Sequence, residues 1–468
     1  MEATPSLFAA GPRAWRDEIR DSVRLAAPVV TVHVGTMLMG VVDTMMLGHF
    51  SALGLAAGSL GNALTVTALW FGLGLIASLE PLVAQAYGAH DREAIAAHLA
   101  RGVALAVAAS LPIALVLGAA EPIFRFLKQN PDVTREAGTY CRVIAASVPA
   151  FLLFAALRLC LQGMHLVRPA VWAAIVGNLV NLGFNYVFVF GHWGAPRLGV
   201  AGSAASTVLA RWAMVLFLAV AARKQLAPYW LGFRRSALAW AGYGLMLRIG
   251  IPIGIHAALE LLIFSAVAVL MGTIGVVELA AHQITLNLAS LSFMVPLGIA
   301  GAAATRVGNA IGRRDMPGAR RAAAACLGLG AGAMGLFGLF FAAFPGLLSR
   351  LYTGDARVIA VAVTLLPIAA LFQVFDGTQV VSTGILRGSA ETALPAAMAL
   401  LGYWGLGLPI GWFLAYRAGL GPRGLWWGLA LGLAVVAVLL VVRILFRFRR
   451  DIGRIGRAGP FPTVEPLP

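Results

Sequence analysis

Along most of this chain apolar residues come in blocks of roughly twenty, the length a helix needs to cross a hydrocarbon layer about 30 Å thick. AVWAAIVGNLVNLGFNYVFVF (170–190) and GLWWGLALGLAVVAVLLVV (424–442) are two such blocks, and neither holds a charged residue. No water is present inside a bilayer to pair with peptide groups, so each block must be helical. Short segments rich in Arg, Gly, Pro and Asp separate the blocks. They leave spans near 26–48, 55–80, 101–120, 140–160, 170–190, 198–221, 240–270, 278–303, 322–344, 358–386, 394–416 and 424–446. The pattern predicts an all-α membrane protein with twelve transmembrane helices.

The pattern also repeats. A shift of 224 residues lays GHFSALGLAA (48–57) on GTIGVVELAA (272–281), and the same shift lays VAQAYGAHD (83–91) on VGNAIGRRD (307–315). A shift of 222 lays LGVAGSA (198–204) on LGPRGLW (420–426). The chain therefore reads as two pseudo-symmetric six-helix lobes. Because six is even, both lobes enter the membrane from the same side, and parallel repeats of this kind form a substrate cavity between them. The expected division is a cytoplasmic N-terminal segment 1–24, an N-terminal lobe 25–221, a cytoplasmic linker 222–239, a C-terminal lobe 240–446 and a cytoplasmic tail 447–468.

Composition agrees: 60% of the 468 residues are hydrophobic and 12% charged, against roughly a quarter charged in a soluble domain. A net charge of +16 does not signal nucleic acid here, because that reading needs a basic face on a soluble domain. The distribution of Lys and Arg is more informative. One alternating set of loops and tails holds 22 of them and the other holds 9, and basic residues concentrate in cytoplasmic loops. Both termini are expected in the cytoplasm. The Arg-rich stretch before span 1 does not have the layout of a cleaved signal peptide. Three cysteines beside apolar spans, with no CxxC or His/Cys cluster, give no ground for a disulfide or a metal centre. The absence of Walker A, GxSxG and HExxH patterns leaves ATP-driven transport and hydrolytic catalysis unsupported, so neither an enzyme nor a cofactor is expected.

Acids inside spans carry the candidate chemistry, because a carboxylate at bilayer depth costs at least a few kcal/mol. Asp43, Glu80, Glu260 and Asp376 lie there. In span 10, Gln373, Asp376, Gln379 and Thr383 follow at steps of three, three and four, which is one stripe of a helix. Span 7 puts His256, Glu260 and Phe264 at steps of four, and span 8 adds Gln283, Asn287 and Ser290. Glu260, Asp376 and the span 8 amides are expected to converge. In the other lobe, Thr36, Gly40 and Asp43 share a face of span 1, Asn178, Asn181 and Asn185 stripe span 5, and Ser203, Ser206 and Thr207 stripe span 6. Oxygen ligands of this kind suit Na⁺, and a desolvated carboxylate suits a proton; Na⁺ at Glu260 and Asp376 is one reading and H⁺ the other. The structural alternatives are that Glu80, before Pro81, marks a kink, that His256 is a core histidine, that the Asn stripe only binds helices together, and that Arg158 and Arg387 pair with Glu260 and Asp376.

VVDTMMLGHFSALGLAAGSLGN, EPLVAQAYGA, LQGMHLVRPA, LNLASLSFMVPLGIAGAAATRVGNAIGR and FQVFDGTQVVSTGILRG resemble the multidrug and toxic compound extrusion (MATE) family, and most closely its bacterial NorM-like branch. The resemblance covers nearly the whole chain, in the family's order and spacing. It implies two six-helix lobes around a cleft and antiport of organic cations against Na⁺ or H⁺, by a monomer in the inner membrane whose partners are small-molecule substrates and lipid, with no nucleic acid. By position, Glu260 and Asp376 match the cation-binding acids of the C-terminal lobe, Asp43 matches the acid of the N-terminal lobe, and Asn181 and Asn185 match its partners. Phe372 stands where some relatives have an aromatic hydroxyl. The expected function is secondary active multidrug efflux. The rivals are a lipid-linked flippase of related fold, whose cavity should be lined by Arg, and a receptor or scaffold that transports nothing.

Overall fold

The computed structural model describes residues 12–230 and 240–455; residues 1–11 and 456–468 of the expected terminal segments, and 231–239 of the expected linker, lie outside the described residues. Among the described residues, twelve helices are long and apolar enough to cross a membrane. They are span 1 Trp15–Phe50, span 2 Ala52–Gly88, span 3 Arg92–Gly118, span 4 Pro131–Gly163, span 5 Arg168–Phe190 and span 6 Val200–Ala221 in the first lobe. The second lobe holds span 7 Gly242–Ile274, span 8 Val276–Gly312, span 9 Met316–Ala343, span 10 Ala356–Gly388, span 11 Ala393–Arg417 and span 12 Pro422–Arg447. No strand occurs among the described residues.

Several helices outrun their apolar blocks. Span 8 continues past its expected end near 303 to Gly312, carrying Arg306 in an ion pair with Glu18. The caps also repeat between lobes. Asp91 accepts from the Ala94 amide at 3.0 Å, and Asp315, at the same shift of 224, accepts from the Gly318 amide at 2.8 Å, each filling an orphan donor of the first turn. The residues before them, His90 and Arg314, both turn left-handed with φ 55° and 61°. Gly199 and Gly421, which open spans 6 and 12, share φ 55° and 54°. The duplication seen in sequence is thus a duplication of backbone conformation.

Two apolar cores hold the lobes together internally. At one end of the molecule they exchange helix starts: Leu25, Ala26 and Val29 of span 1 pack into the C-terminal core, while Met246 and Ile249 of span 7 pack into the N-terminal one. Close backbone approach seals this seam. A Cβ on Gly74 would strike the backbone of Gly254, and one on Gly298 would come within 2.8 Å of the Val30 nitrogen, so only glycine allows spans 2 and 7, and 1 and 8, to touch there. Among the described residues, the hydrogen bonds and ion pairs that join the lobes all lie at this same closed end.

Candidate functional site

Asp43 is buried, with 8% of its surface exposed, and three side chains from two other spans converge on it. Asn181 and Asn185 of span 5 donate to Oδ1 at 3.0 and 2.7 Å, and the Thr207 hydroxyl of span 6 donates to Oδ2 at 2.7 Å. The steps of four along span 5 place both amides on one face, which is why the sequence stripe closes on the acid. Asn181 also donates to Thr207 at 3.1 Å. The carbonyl oxygens of both Asn side chains are buried without a partner among the described residues. Several members of the expected constellation do not join: the Ser206 hydroxyl donates to the Gly202 carbonyl, and that of Ser203 has no partner among the described residues. Thr36 is exposed and its hydroxyl turns back to the His33 carbonyl; Asn178 bonds the Gly35 and Ala174 carbonyls.

In the C-terminal lobe Asp376 is 3% exposed, and Glu260 keeps 19% of its side chain accessible. Glu260 lies near enough for its charge to act on Asp376. Neither accepts a hydrogen bond among the described residues; the nearest polar approach is His256 Nε2, 4.0 Å from Glu260 Oε2. Gln379 stands one turn along from Asp376 and meets His256 Nε2 at 3.0 Å, so that polar stripe ties span 10 to span 7. Gln373 bonds the hydroxyl of Ser292 on span 8. The span 8 amides do not reach the acids: Gln283 and Asn287 are exposed, and Asn287 bonds the Gln283 carbonyl. Phe264, Phe372 and Trp426 form an edge-to-face wall with ring centroids 6.1 and 5.8 Å apart.

Tyr403 was invisible to the sequence reading. It is 4% exposed, its hydroxyl has no partner among the described residues, and the charges of Glu260 and Asp376 act on it. It sits in a π-helical stretch, Leu400–Gly407, just before Pro409, whose missing N–H loosens the preceding turn. Neighbouring Trp404 donates to the Leu259 carbonyl at 3.2 Å, which fixes span 11 beside Glu260. The only signal in sequence was a lone aromatic hydroxyl in an apolar Gly/Pro segment.

Glu80 and the two arginines also depart from expectation. Arg387 does not pair with Glu260 or Asp376; its Nε lies 3.1 Å from Glu80 Oε2. Gln162 donates to the other Glu80 oxygen at 2.6 Å, and Arg158 donates to Gln162 at 3.2 Å. This cluster lies in the closed seam, away from both acid sites. Nearby and outside the membrane, the Ala94 amide and Arg454 hold Asp91 below the usual carboxylate range. Cys141, Cys160 and Cys326 are free and buried.

The MatE family profile matches residues 28–187 and 252–413, once in each lobe. A probable multidrug resistance protein NorM of Mesorhizobium japonicum is 40% identical over 95% of this chain and 98% of its own length. The multidrug resistance protein NorM of Burkholderia vietnamiensis is 37% identical over 93% and 95%, and that of Vibrio cholerae is 34% identical over 92% and 96%. Among solved structures, a eukaryotic MATE transporter superposes with TM-score 0.84 at 22% identity, covering 94% of this chain and 99% of that one. An outward-facing multidrug resistance MATE family transporter does so with TM-score 0.84 at 19% identity, over 92% and 96%.

Proposed function

The chain belongs to the MatE family of membrane transporters, and from that premise we propose that it is a secondary active multidrug exporter. It moves organic cations and other amphipathic compounds outward in exchange for Na⁺ or H⁺ entering at Glu260 and Asp376. The observation that carries this reading is the pair itself: buried Asp376 on span 10 and partly buried Glu260 on span 7, with no donor among the described residues to stabilise their charge. Such a pair is tolerable at bilayer depth only with a bound cation or proton. The names of the relatives support the substrate class, and mid-span charges that are mostly acidic favour cations over the anionic carriers of a flippase.

The exposure pattern supports a cleft open to the side away from the seam. Beyond the Gly298–Val30 contact, Thr36, Val41 and Met45 on span 1 and Gln283, Asn287 and Leu291 on span 8 are all exposed. Amides at that depth belong against water and not lipid, which favours Gln283, Asn287 and Thr36 as cleft lining. With the basic loops inside the cell, the seam is cytoplasmic, both termini are cytoplasmic, the cleft faces outward and the protein works as a monomer in the inner membrane. Efflux of a fluorescent organic cation from vesicles, with Na⁺ and pH gradients imposed separately, tests the reading. Dependence on one gradient names the ion, and efflux indifferent to both would remove the antiport.

A further inference from the structure

We infer that Glu80 and Arg387 are positioning residues for the transport cycle: their contact, braced by Gln162 and Arg158, holds the lobes shut at the cytoplasmic end, and inward opening requires it to part. The inference rests on the alternating-access reading above. Glu80 belongs to span 2 and Arg387 to span 10, so the contact at 3.1 Å crosses from one lobe to the other. Both side chains are largely buried, with 2% and 16% exposed. Removing one partner of such a pair strands the other charge in a low-dielectric seam.

Three features distinguish a releasable contact from a permanent weld. The charges do not balance: Arg158 and Arg387 face the single acid Glu80, and Arg158 is itself buried. The closed state therefore carries a surplus positive charge that opening to water would relieve. Arg387 Nε approaches Glu80 without the alignment of a hydrogen bond, whereas Gln162, on the same lobe as Glu80, bonds it closely. Glu80 is thus held firmly by its own lobe and loosely by the other. The remaining polar cross-seam contacts can each be exchanged for contacts with water as that end opens: the ion pairs of Arg306 with Glu18 and Asp21 and of Arg454 with Asp91, the Ile455 amide to Gln85, Gln85 to the Gly388 carbonyl at 3.0 Å, Asn309 to the Gly163 carbonyl at 3.0 Å, and Cys326 to the Ser22 hydroxyl at 3.6 Å.

The last of these provides the test. Cys326 is buried against the opposite lobe, while Cys141 and Cys160 are buried inside the N-terminal lobe. Maleimide labelling of the three native cysteines, resolved by peptide mass spectrometry, therefore separates seam opening from unfolding. In reconstituted full-length protein, Glu80→Gln and Arg387→Gln should each label Cys326 about ten-fold faster than the parent, with Cys141 and Cys160 unchanged. Arg387→Lys, which keeps the charge, should stay within about three-fold of the parent at Cys326. The inference is overturned if Cys326 keeps the parental rate in both neutral variants, if all three cysteines accelerate together, or if the Lys variant opens as readily as the Gln variant. Labelling needs no transport, so a parent protein that fails to move an organic cation under any gradient defeats the antiport reading and leaves this measurement standing.

Discussion

Asp43 in one lobe and the Glu260–Asp376 pair in the other are acids inside membrane spans, and the protein treats them in opposite ways. Asp43 receives three side-chain donors from spans 5 and 6. Glu260 and Asp376 receive none among the described residues, and the charge of Glu260 acts on Asp376. Hydrogen bonds from neutral donors stabilise an ionised carboxylate where water is absent. Asp43 is therefore held by the protein's own donors, which pin spans 1, 5 and 6 together, whereas the pair must borrow its compensation from something that comes and goes. That is the property a coupling site needs and a structural site lacks. The two lobes share backbone down to their caps, yet their acids differ in the donors they receive.

The sharpest break of that contrast is neutralisation of the pair. Glu260→Gln or Asp376→Asn should abolish gradient-driven export while counterflow of the organic cation persists. One coupled charge at 100 mV is worth about 2.3 kcal/mol, or roughly a fifty-fold accumulation. Reconstituted vesicles at matched protein abundance give the comparison. If both single variants keep full gradient-driven export, coupling does not reside in the C-terminal lobe and Asp43 becomes the candidate.

Stability should move in opposite directions in the two lobes. Asp43→Asn places an amide among Asn181, Asn185 and Thr207 and leaves donors facing donors, at a cost of about 1–3 kcal/mol for unpaired buried groups. Export should fall by no more than roughly ten-fold, in step with that loss. Asp376→Asn removes a buried charge that has no partner, so its unfolding temperature should hold or rise. Thermal unfolding of the purified proteins reads both. Equal destabilisation by the two changes would mean that the C-terminal acid has donors after all, and the contrast would dissolve.

Much of this was legible before any coordinates. Blocks of twenty apolar residues have one solution in a bilayer, and the shift of 224 carried the caps at Asp91 and Asp315 with it. Helical spacing also found Asn181 and Asn185, because residues four apart must share a face. It failed wherever the partner lay on another helix. Thr36 shares a face with Asp43 by spacing, but its hydroxyl found a nearer acceptor in the His33 carbonyl one turn back. Arg387 is nearer in sequence to Asp376, yet the crossing of the lobes brings it to Glu80. Tyr403 depends on a π turn, and a wider turn shifts every later residue off the 3.6-residue register on which the reading relied.

Tyr403 also provides the finest test of the contrast, because its hydroxyl is an unused donor near the C-terminal pair. In the present conformation that hydroxyl is buried and unpaired, a burden of about 1–3 kcal/mol. Phenylalanine would fill the same space without it. If Glu260 and Asp376 go without protein donors throughout the cycle, Tyr403→Phe should be the mildest variant of the series. Its unfolding temperature should rise slightly, and gradient-driven export should stay within about two-fold of the parent, since no hydrogen bond is lost. A ten-fold loss of export in a protein of unchanged stability would give the opposite result. It would mean that the hydroxyl turns onto one of the acids in a later state, so that the lobes differ in when they supply a donor and not in whether they have one. Measuring export and unfolding on the same preparation decides between these, because a hydroxyl idle in every state can alter stability but has no route to the rate.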